Sequence, residues 1–151
     1  MNNTEIFNKL AKHWPDLYQK SKISSVDVEP GWYNILDTLS GLLSAGVRQA
    51  RYNLEFAKNK KFLDENDIKS KQKILDTALD ELPIIVQIKE KFGGLRFYIN
   101  NGTEEMENYI RFAESMSLCT CARCGSPGKI RNTGWSRTLC DIHFNELSTK
   151  N

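Results

Sequence analysis

The chain has 151 residues, of which 40% are hydrophobic, 26% charged and 10% aromatic. This composition excludes wholesale disorder, and the length favours one hydrophobic core with a small satellite module rather than a multidomain enzyme. Twenty-one basic against nineteen acidic residues give a net charge of +2, which is too close to neutral to indicate a protein that coats nucleic acid.

The N-terminal third predicts helices separated by one extended stretch. Thr4 is suited to cap a short first helix that ends near Pro15, and residues 21–29 are expected to be extended or loop-like. Pro30 is predicted to open a longer helix, which Gly46 breaks or bends. Apolar residues at three- and four-residue spacing give this helix one buried stripe, formed by Trp32, Ile35, Leu36, Leu39, Leu42 and Leu43.

The middle of the chain predicts a further helix that stops at Pro83, and then a β-hairpin. Residues 84–91 and 95–100 are β-branched or alternate between apolar and polar, as strands do. The Phe92-Gly93-Gly94 stretch between them predicts a tight turn, because glycine tolerates the positive φ that such turns need. Thr103, followed by acidic residues, predicts the start of another helix.

The small net charge hides an uneven distribution. Residues 48–73 carry eight bases and four acids, a net charge of +4, and residues 119–151 carry five bases and two acids, a net charge of +3. The segment between them, residues 74–118, has a net charge of −4. Solvated helix faces are the ordinary explanation of such runs. A contact surface for an anionic partner is the alternative.

No apolar run approaches the roughly 20 residues that a bilayer-spanning helix needs. The first residues also lack the basic-then-apolar pattern of a signal peptide. We therefore expect a cytoplasmic protein, whose four cysteines are thiols or metal ligands rather than disulfides.

Two pairs of metal-binding residues near the C-terminus are the most informative feature. Cys121 and Cys124 form a CxxCG knuckle, and Cys140 and His143 follow at a spacing of three. Zinc prefers four such ligands in a tetrahedron. The sequence therefore predicts a Zn²⁺ site at Cys121, Cys124, Cys140 and His143, with Cys119 as a spare thiol or as a replacement for Cys121.

The order of elements around these pairs predicts a treble clef. A hairpin about residues 132–134 lies between the knuckle and a short helix that carries the second pair. Because four protein ligands leave no open position for a water, we expect the zinc to be structural rather than catalytic.

The sequence shows no constellation typical of an enzyme. With His143 assigned to the metal, the remaining histidine, His13, lies in a helix without an obvious partner. Glu104, Glu105 and Glu107 could bind a divalent ion, but a helix N-terminus explains them more simply. We therefore predict no catalytic residues.

Three stretches resemble a family of uncharacterised bacterial and phage proteins. They are residues 31–37, residues 87–98 with the sequence Gln-Ile-Lys-Glu-Lys-Phe-Gly-Gly-Leu-Arg-Phe-Tyr, and residues 113–143 with the pattern CxxCG…TLCxxH. The resemblance covers about half of the chain and implies a small protein often carried by phages and prophages. It implies no activity. Relative to shorter members, residues 48–73 look like an insertion.

Two surfaces are candidates for binding. Basic and aromatic side chains on one sheet surface can bind phosphates and stack on bases, and cross-strand charge pairs in a half-exposed hairpin are the alternative. The central hairpin contributes Lys89, Lys91, Arg96 and Tyr98. The predicted zinc module contributes Lys129, Arg131, Trp135 and Arg137, with no acid close by in the sequence.

These observations predict an α+β protein with N-terminal helices, a central β-hairpin packed on helices, and a C-terminal treble-clef-like zinc module. Residues 1–118 would form the core and residues 119–151 the module. The first hypothesis is a non-enzymatic nucleic-acid-binding protein of phage or prophage type, in the cytoplasm of a bacterium or an infected cell. The alternative is a protein-binding inhibitor or adaptor that targets a host or defence-system protein. An enzyme is the third hypothesis, and neither a membrane nor a small-molecule substrate is expected.

Overall fold

A computed structural model describes residues 1–148, so residues 149–151 of the predicted module lie outside the described residues. Within that range the mixed α+β fold is confirmed, with seven α-helices and two antiparallel hairpins. The helices are α1 (Asn3–His13), α2 (Pro15–Lys20), α3 (Tyr33–Leu43), α4 (Ala45–Lys58), α5 (Glu65–Asp80), α6 (Glu104–Ser117) and α7 (Asp141–Ser148). The strands are β1 (Ile84–Lys91), β2 (Gly94–Asn100), β3 (Lys129–Thr133) and β4 (Trp135–Leu139).

The cap of the first helix is Asn2, two residues before the predicted cap. The side chain of Asn2 accepts a hydrogen bond from the Glu5 backbone at 2.9 Å, and the Glu5 carboxylate accepts one from the Asn2 backbone at 2.9 Å. This reciprocal capping box satisfies two N–H groups that a helix start leaves open. The prediction of Thr4 as the cap is therefore wrong, and Thr4 lies exposed inside α1.

The long helix predicted from Pro30 is divided at two points. Residues Pro30–Trp32 form a 3₁₀ turn that leads into α3. Between α3 and α4 the chain turns at Ser44, whose φ of −95° and ψ of 3° lie outside helical values. Gly46, the predicted break, lies inside α4, so that prediction is wrong by two residues.

The central hairpin contains a bulge that aligns its core residues. Ile85 and Ile88 are three apart, so a regular strand would point them to opposite faces. The register shifts between Ile85 and Gln87, and both isoleucines are buried at 1% and 2% exposure. Because the bulge absorbs one residue, Glu90 follows Ile88 on the inner face while Lys89 and Lys91 point outward.

The hairpin turn uses two residues of the predicted Phe92-Gly93-Gly94 stretch. Its two-residue loop is Phe92-Gly93, with φ of +55° and +80°, and Lys91 pairs directly with Gly94. Positive φ at both positions is the geometry of a type I′ turn. Gly94 begins β2, where a Cβ would lie 2.7 Å from the end of the Leu118 side chain and would require that side chain to shift.

One hydrophobic core joins the helices to the central hairpin. Helix α6 lies along β2, where the Ser117 hydroxyl accepts a hydrogen bond from the Leu95 backbone at 2.8 Å and the Glu114 carboxylate accepts one from Phe97 at 3.0 Å. The largest fully buried side chains are Trp32, Ile6, Leu10, Leu17, Leu36, Leu39, Leu43, Ile85, Ile88, Leu95, Leu139 and Val26. The prediction of a hairpin packed on helices is confirmed.

The C-terminal segment is docked on the core through the 3₁₀ turn. The Gly31 backbone donates to the Ala122 carbonyl at 2.6 Å, and the Trp32 indole donates to the Thr120 carbonyl at 2.9 Å. Ala122 and Leu139 are 5% and 0% exposed. The boundary at residue 118 stays a prediction. Within residues 1–148, no helix combines the length and the apolar character that crossing a membrane requires.

Candidate metal centre and adjoining basic surfaces

The structure brings the four predicted metal ligands together. The sulfur atoms of Cys121, Cys124 and Cys140 and a ring nitrogen of His143 all lie within 4.8 Å of one another. His143 Nδ1 is 3.4 Å from Cys121 Sγ and 3.3 Å from Cys140 Sγ, and the sulfurs of Cys124 and Cys140 are 3.9 Å apart. This cluster is consistent with a metal site.

The knuckle holds its first two ligands through a tight turn. The Gly125 backbone, at φ of +79°, donates to the Cys121 carbonyl at 2.9 Å, and Cys121 donates to the Ser126 carbonyl at 2.7 Å. Hydrogen bonds from the hydroxyl and the backbone of Ser126 lower the pKa of Cys124 to about 6. Burial instead raises the pKa of Cys121. The turn thus prepares one exposed thiolate and one buried sulfur for a cation.

The second ligand pair is positioned by the start of α7. Cys140 immediately precedes this helix, and its carbonyl accepts a hydrogen bond from the Phe144 backbone at 3.0 Å. The first helical turn then brings His143 over Cys140, because residues three apart share one side of a helix.

Cys119 lies apart from the four ligands. It follows α6, is exposed, and its sulfur donates to the Met116 carbonyl at 3.2 Å. The cluster that the described residues form contains Cys121 and omits Cys119. The arrangement agrees with the spare thiol rather than with the replacement ligand.

The four predicted binding residues of the central hairpin share its outward side with Gln87. We call this side the basic face: Gln87, Lys89, Lys91, Arg96 and Tyr98. Lys89 is paired directly with Arg96, and Gln87 with Tyr98. The Lys89 ammonium lies 5.8 Å from the centroid of the Tyr98 ring. The alternative was that opposite charges pair across β1 and β2. The register instead places two cations, Lys89 and Arg96, opposite each other.

One acid lies at the edge of this face. Asp27 belongs to an extended segment that pairs with β1 beside Lys89, where its backbone bonds to those of Ile88 and Glu90. Its carboxylate accepts a hydrogen bond from the Asn3 side chain at 3.4 Å. Three bases and one edge acid leave the basic face positively charged.

The basic residues of the second hairpin are arranged differently. Arg131 pairs with Arg137 across the strands, but Arg131 forms an ion pair with Asp141 and Arg137 with Glu29. The expectation of no acid nearby is therefore wrong. Glu29 lies 108 residues from Arg137 in sequence, so no local pattern could have shown it. The Arg131 guanidinium also lies 4.5 Å from the Phe144 ring centroid.

The other two predicted residues of this hairpin are exposed. Trp135 is 85% exposed at the tip, and Lys129 is exposed at the start of β3. The structure thus separates two arginines that form ion pairs, Arg131 within the module and Arg137 with Glu29 of the core, from a tryptophan and a lysine that are exposed.

His13 has a partner that the sequence analysis missed. Its Nδ1 lies 2.8 Å from an Asp37 carboxylate oxygen, to which the Trp14 indole also donates at 2.8 Å. The His13 ring stacks on Trp14 with the ring centroids 4.5 Å apart. Asp37 is on α3, 24 residues from His13, so no local sequence pattern predicts the contact.

No family model, no curated protein and no solved structure matches the chain. The metal cluster and the basic face therefore supply the argument on function.

Proposed function

We propose that this chain is a non-enzymatic nucleic-acid-binding protein whose C-terminal module is held together by a structural zinc ion. One observation carries the proposal: the basic face places Lys89, Lys91 and Arg96 beside Tyr98 on one side of the central hairpin. The metal donor set, the element order, the pairing of charges and the predicted insertion give further support.

The donor set and its spacing support zinc. Zn–S bonds of about 2.3 Å and Zn–N bonds of about 2.0 Å in a tetrahedron put sulfurs about 3.8 Å apart and sulfur about 3.5 Å from nitrogen. The distances of 3.9 Å between Cys124 and Cys140 and of 3.3 Å and 3.4 Å to His143 lie close to these values. Three cysteines and one histidine would fill the coordination sphere, as in structural sites.

The element order supports a treble clef around that ion. The knuckle at Cys121 precedes the β3–β4 hairpin, and α7 follows with the second ligand pair. The ion would fix the knuckle and α7 relative to one another, since the segment contributes few large buried side chains of its own.

The pairing of like charges on the basic face supports an anionic partner. Two cations directly opposite each other destabilise a hairpin, and the Lys89–Arg96 pair has no acid from its own two strands on that side. Phosphate groups would offset this repulsion, and the Tyr98 ring offers a surface on which a base can stack.

The predicted insertion adds a second basic and aromatic surface. Residues 48–73 comprise most of α4, the loop after it and the first part of α5, and this loop exposes Phe62 at 82%. The Lys61 ammonium lies 5.7 Å from that ring, and the Lys60 ammonium lies 5.8 Å from the ring of Phe56. This surface would extend the contact with a polyanion.

Charge removal on the basic face tests the proposal. Three phosphate contacts predict that the association constant falls about 20- to 40-fold between 50 and 200 mM salt. Lys89→Gln/Arg96→Gln should weaken binding and flatten the salt dependence, because each lost phosphate contact removes about one from its slope. Lys9→Gln/Lys12→Gln removes the same charge from exposed positions on α1 and should leave the slope unchanged. Equal effects of the two variants would count against the basic face.

A protein partner is the second candidate function, and one surface favours it. An apolar groove of about 290 Å³ lies between α3 and α6, lined by Ile35, Leu39, Leu42, Tyr109, Phe112 and Met116 among others. A groove of this kind suits the apolar side of an amphipathic helix from a host or defence protein. Phe112→Lys, at a position 66% exposed, should abolish such an association and leave nucleic-acid binding intact.

A further inference from the structure

The tip of the central hairpin breaks a local rule of turn chemistry. Phe92 occupies the first loop position of the type I′ turn with φ of +55°, where Asn, Asp or Gly is favoured. A bulky residue is strained there. Burial does not compensate the strain, because Phe92 is 73% exposed. An exposed aromatic ring held in a strained conformation points to a function of the ring itself.

The tip of the second hairpin lies directly against this turn. The Thr138 hydroxyl donates to the Gly93 carbonyl at 2.6 Å, and a Cβ on Gly93 would lie 3.1 Å from the backbone of Ser136. Trp135, 85% exposed, is therefore carried beside Phe92 on a neighbouring tip. Both residues line one cleft of about 690 Å³.

The charges in this cleft are balanced. Its other lining residues include Lys91 and Arg137 against Glu29 and Glu90. Glu29 forms ion pairs with Arg137 and Arg123, and the Glu90 carboxylate accepts a hydrogen bond from the Gly93 backbone at 2.6 Å. A cleft that is aromatic and nearly neutral thus adjoins the positively charged basic face, which Lys91 shares.

We infer that this cleft, which we call the aromatic cleft, takes an unpaired nucleobase of a single-stranded nucleic acid. The inference rests on the proposed function and specifies its ligand. A nucleotide joins an uncharged flat base to a charged phosphate. The aromatic cleft matches the base, and the adjoining basic face matches the phosphate. The base stacks on Phe92 and Trp135, and the phosphates lie along Lys89 and Lys91. A base pair inside a duplex cannot enter, because its faces are covered by its neighbours.

The substitution Phe92→Asn removes the aromatic ring and is expected to keep the turn intact. Asn-Gly is a preferred pair for a type I′ turn, so this variant should melt at the same temperature as the wild type or higher. Its affinity for a 12-nucleotide single strand should fall on the order of tenfold, because an aromatic stacking contact is lost. Trp135→Ala should have a similar effect. Phe112→Asn makes the same change at an exposed phenylalanine on α6, outside the basic face and residues 48–73, and serves as the matched control.

The assay is fluorescence anisotropy with labelled DNA and RNA single strands of one sequence and with the DNA duplex, all at one salt concentration. The inference predicts tighter binding of a single strand than of the duplex, and loss of that preference in Phe92→Asn and Trp135→Ala. The DNA and RNA arms show which single strand is preferred. Wild-type binding that Lys89→Gln/Arg96→Gln weakens but Phe92→Asn leaves unchanged would overturn the aromatic cleft and keep the proposed function. Absence of wild-type binding to every polymer would overturn both.

Discussion

Gly31→Ala should destabilise the contact between the metal knuckle and the core. A Cβ at this position would lie 2.5 Å from the Ala122 carbonyl and 2.6 Å from the Gly125 nitrogen, and closer still to the Cys121 carbonyl. All three are backbone atoms, so no side-chain rotation can relieve the overlap. The hydrogen bond of 2.6 Å from the Gly31 backbone to the Ala122 carbonyl would be lost as the two backbone segments move apart.

The expected cost follows from these contacts. Overpacking costs about 1–3 kcal/mol and a lost backbone hydrogen bond about 1 kcal/mol, so the free energy of unfolding should fall by about 3 kcal/mol. For a domain of this size the melting temperature should fall by about 6–12 °C. The displaced knuckle should also release its metal to a chelator faster than the wild type does.

Gly46→Ala is the matched control. Nothing lies within 4 Å of a Cβ built at Gly46, which is inside α4. Alanine there should raise the free energy of unfolding by roughly 0.5–1 kcal/mol through helix propensity. Thermal melts and chelator competition on both variants provide the measurement. A Gly31→Ala protein that melts within about 1 °C of the wild type and retains its metal equally well would refute the reasoning.

Three further substitutions test the metal centre and the hairpin support. Cys140→Ser should lose the bound ion, measured by elemental analysis, and should make residues 119–148 sensitive to protease. Cys119→Ser should keep one ion per chain, and loss of that ion would make Cys119 a ligand. Ser117→Ala should lower the free energy of unfolding in urea by about 1–3 kcal/mol, because the buried Leu95 N–H loses its acceptor. An unchanged urea midpoint would contradict that role of Ser117.

The candidate site could be predicted where its residues are local. Cys121 and Cys124 are three apart, as are Cys140 and His143, so a turn and the start of a helix suffice to form each pair. The two strands of the central hairpin were predictable for the same reason, since β-branched alternation and a glycine-containing turn are short-range signals.

The features that depend on long-range contacts could not be predicted. The Glu29–Arg137 ion pair and the His13–Asp37 contact join residues 108 and 24 positions apart. Such partners determine whether a charged side chain forms an ion pair inside the protein or stays available for binding. The spacing of apolar residues carries no information about them. The position of the bend was also missed, since it lies at Ser44 and not at Gly46. Tertiary packing can override intrinsic propensity at helix boundaries.

The strain at Phe92 was also hidden in the sequence. The Phe-Gly-Gly stretch predicts a turn but leaves open which two residues form it, and local propensity favours the two glycines. The register of β1 and β2 instead places Phe92 in the loop and Gly94 against Leu118. The strand register therefore produces a turn that the local sequence would not select.

The most direct test of the account is a titration of the metal-loaded wild type against labelled single- and double-stranded DNA and RNA at 50 and 200 mM salt. The account predicts binding at low salt that weakens about 20- to 40-fold at the higher concentration. It also predicts that single strands bind more tightly than duplexes. Absence of binding to all of these polymers at 50 mM salt would contradict the central claim and would favour a protein partner.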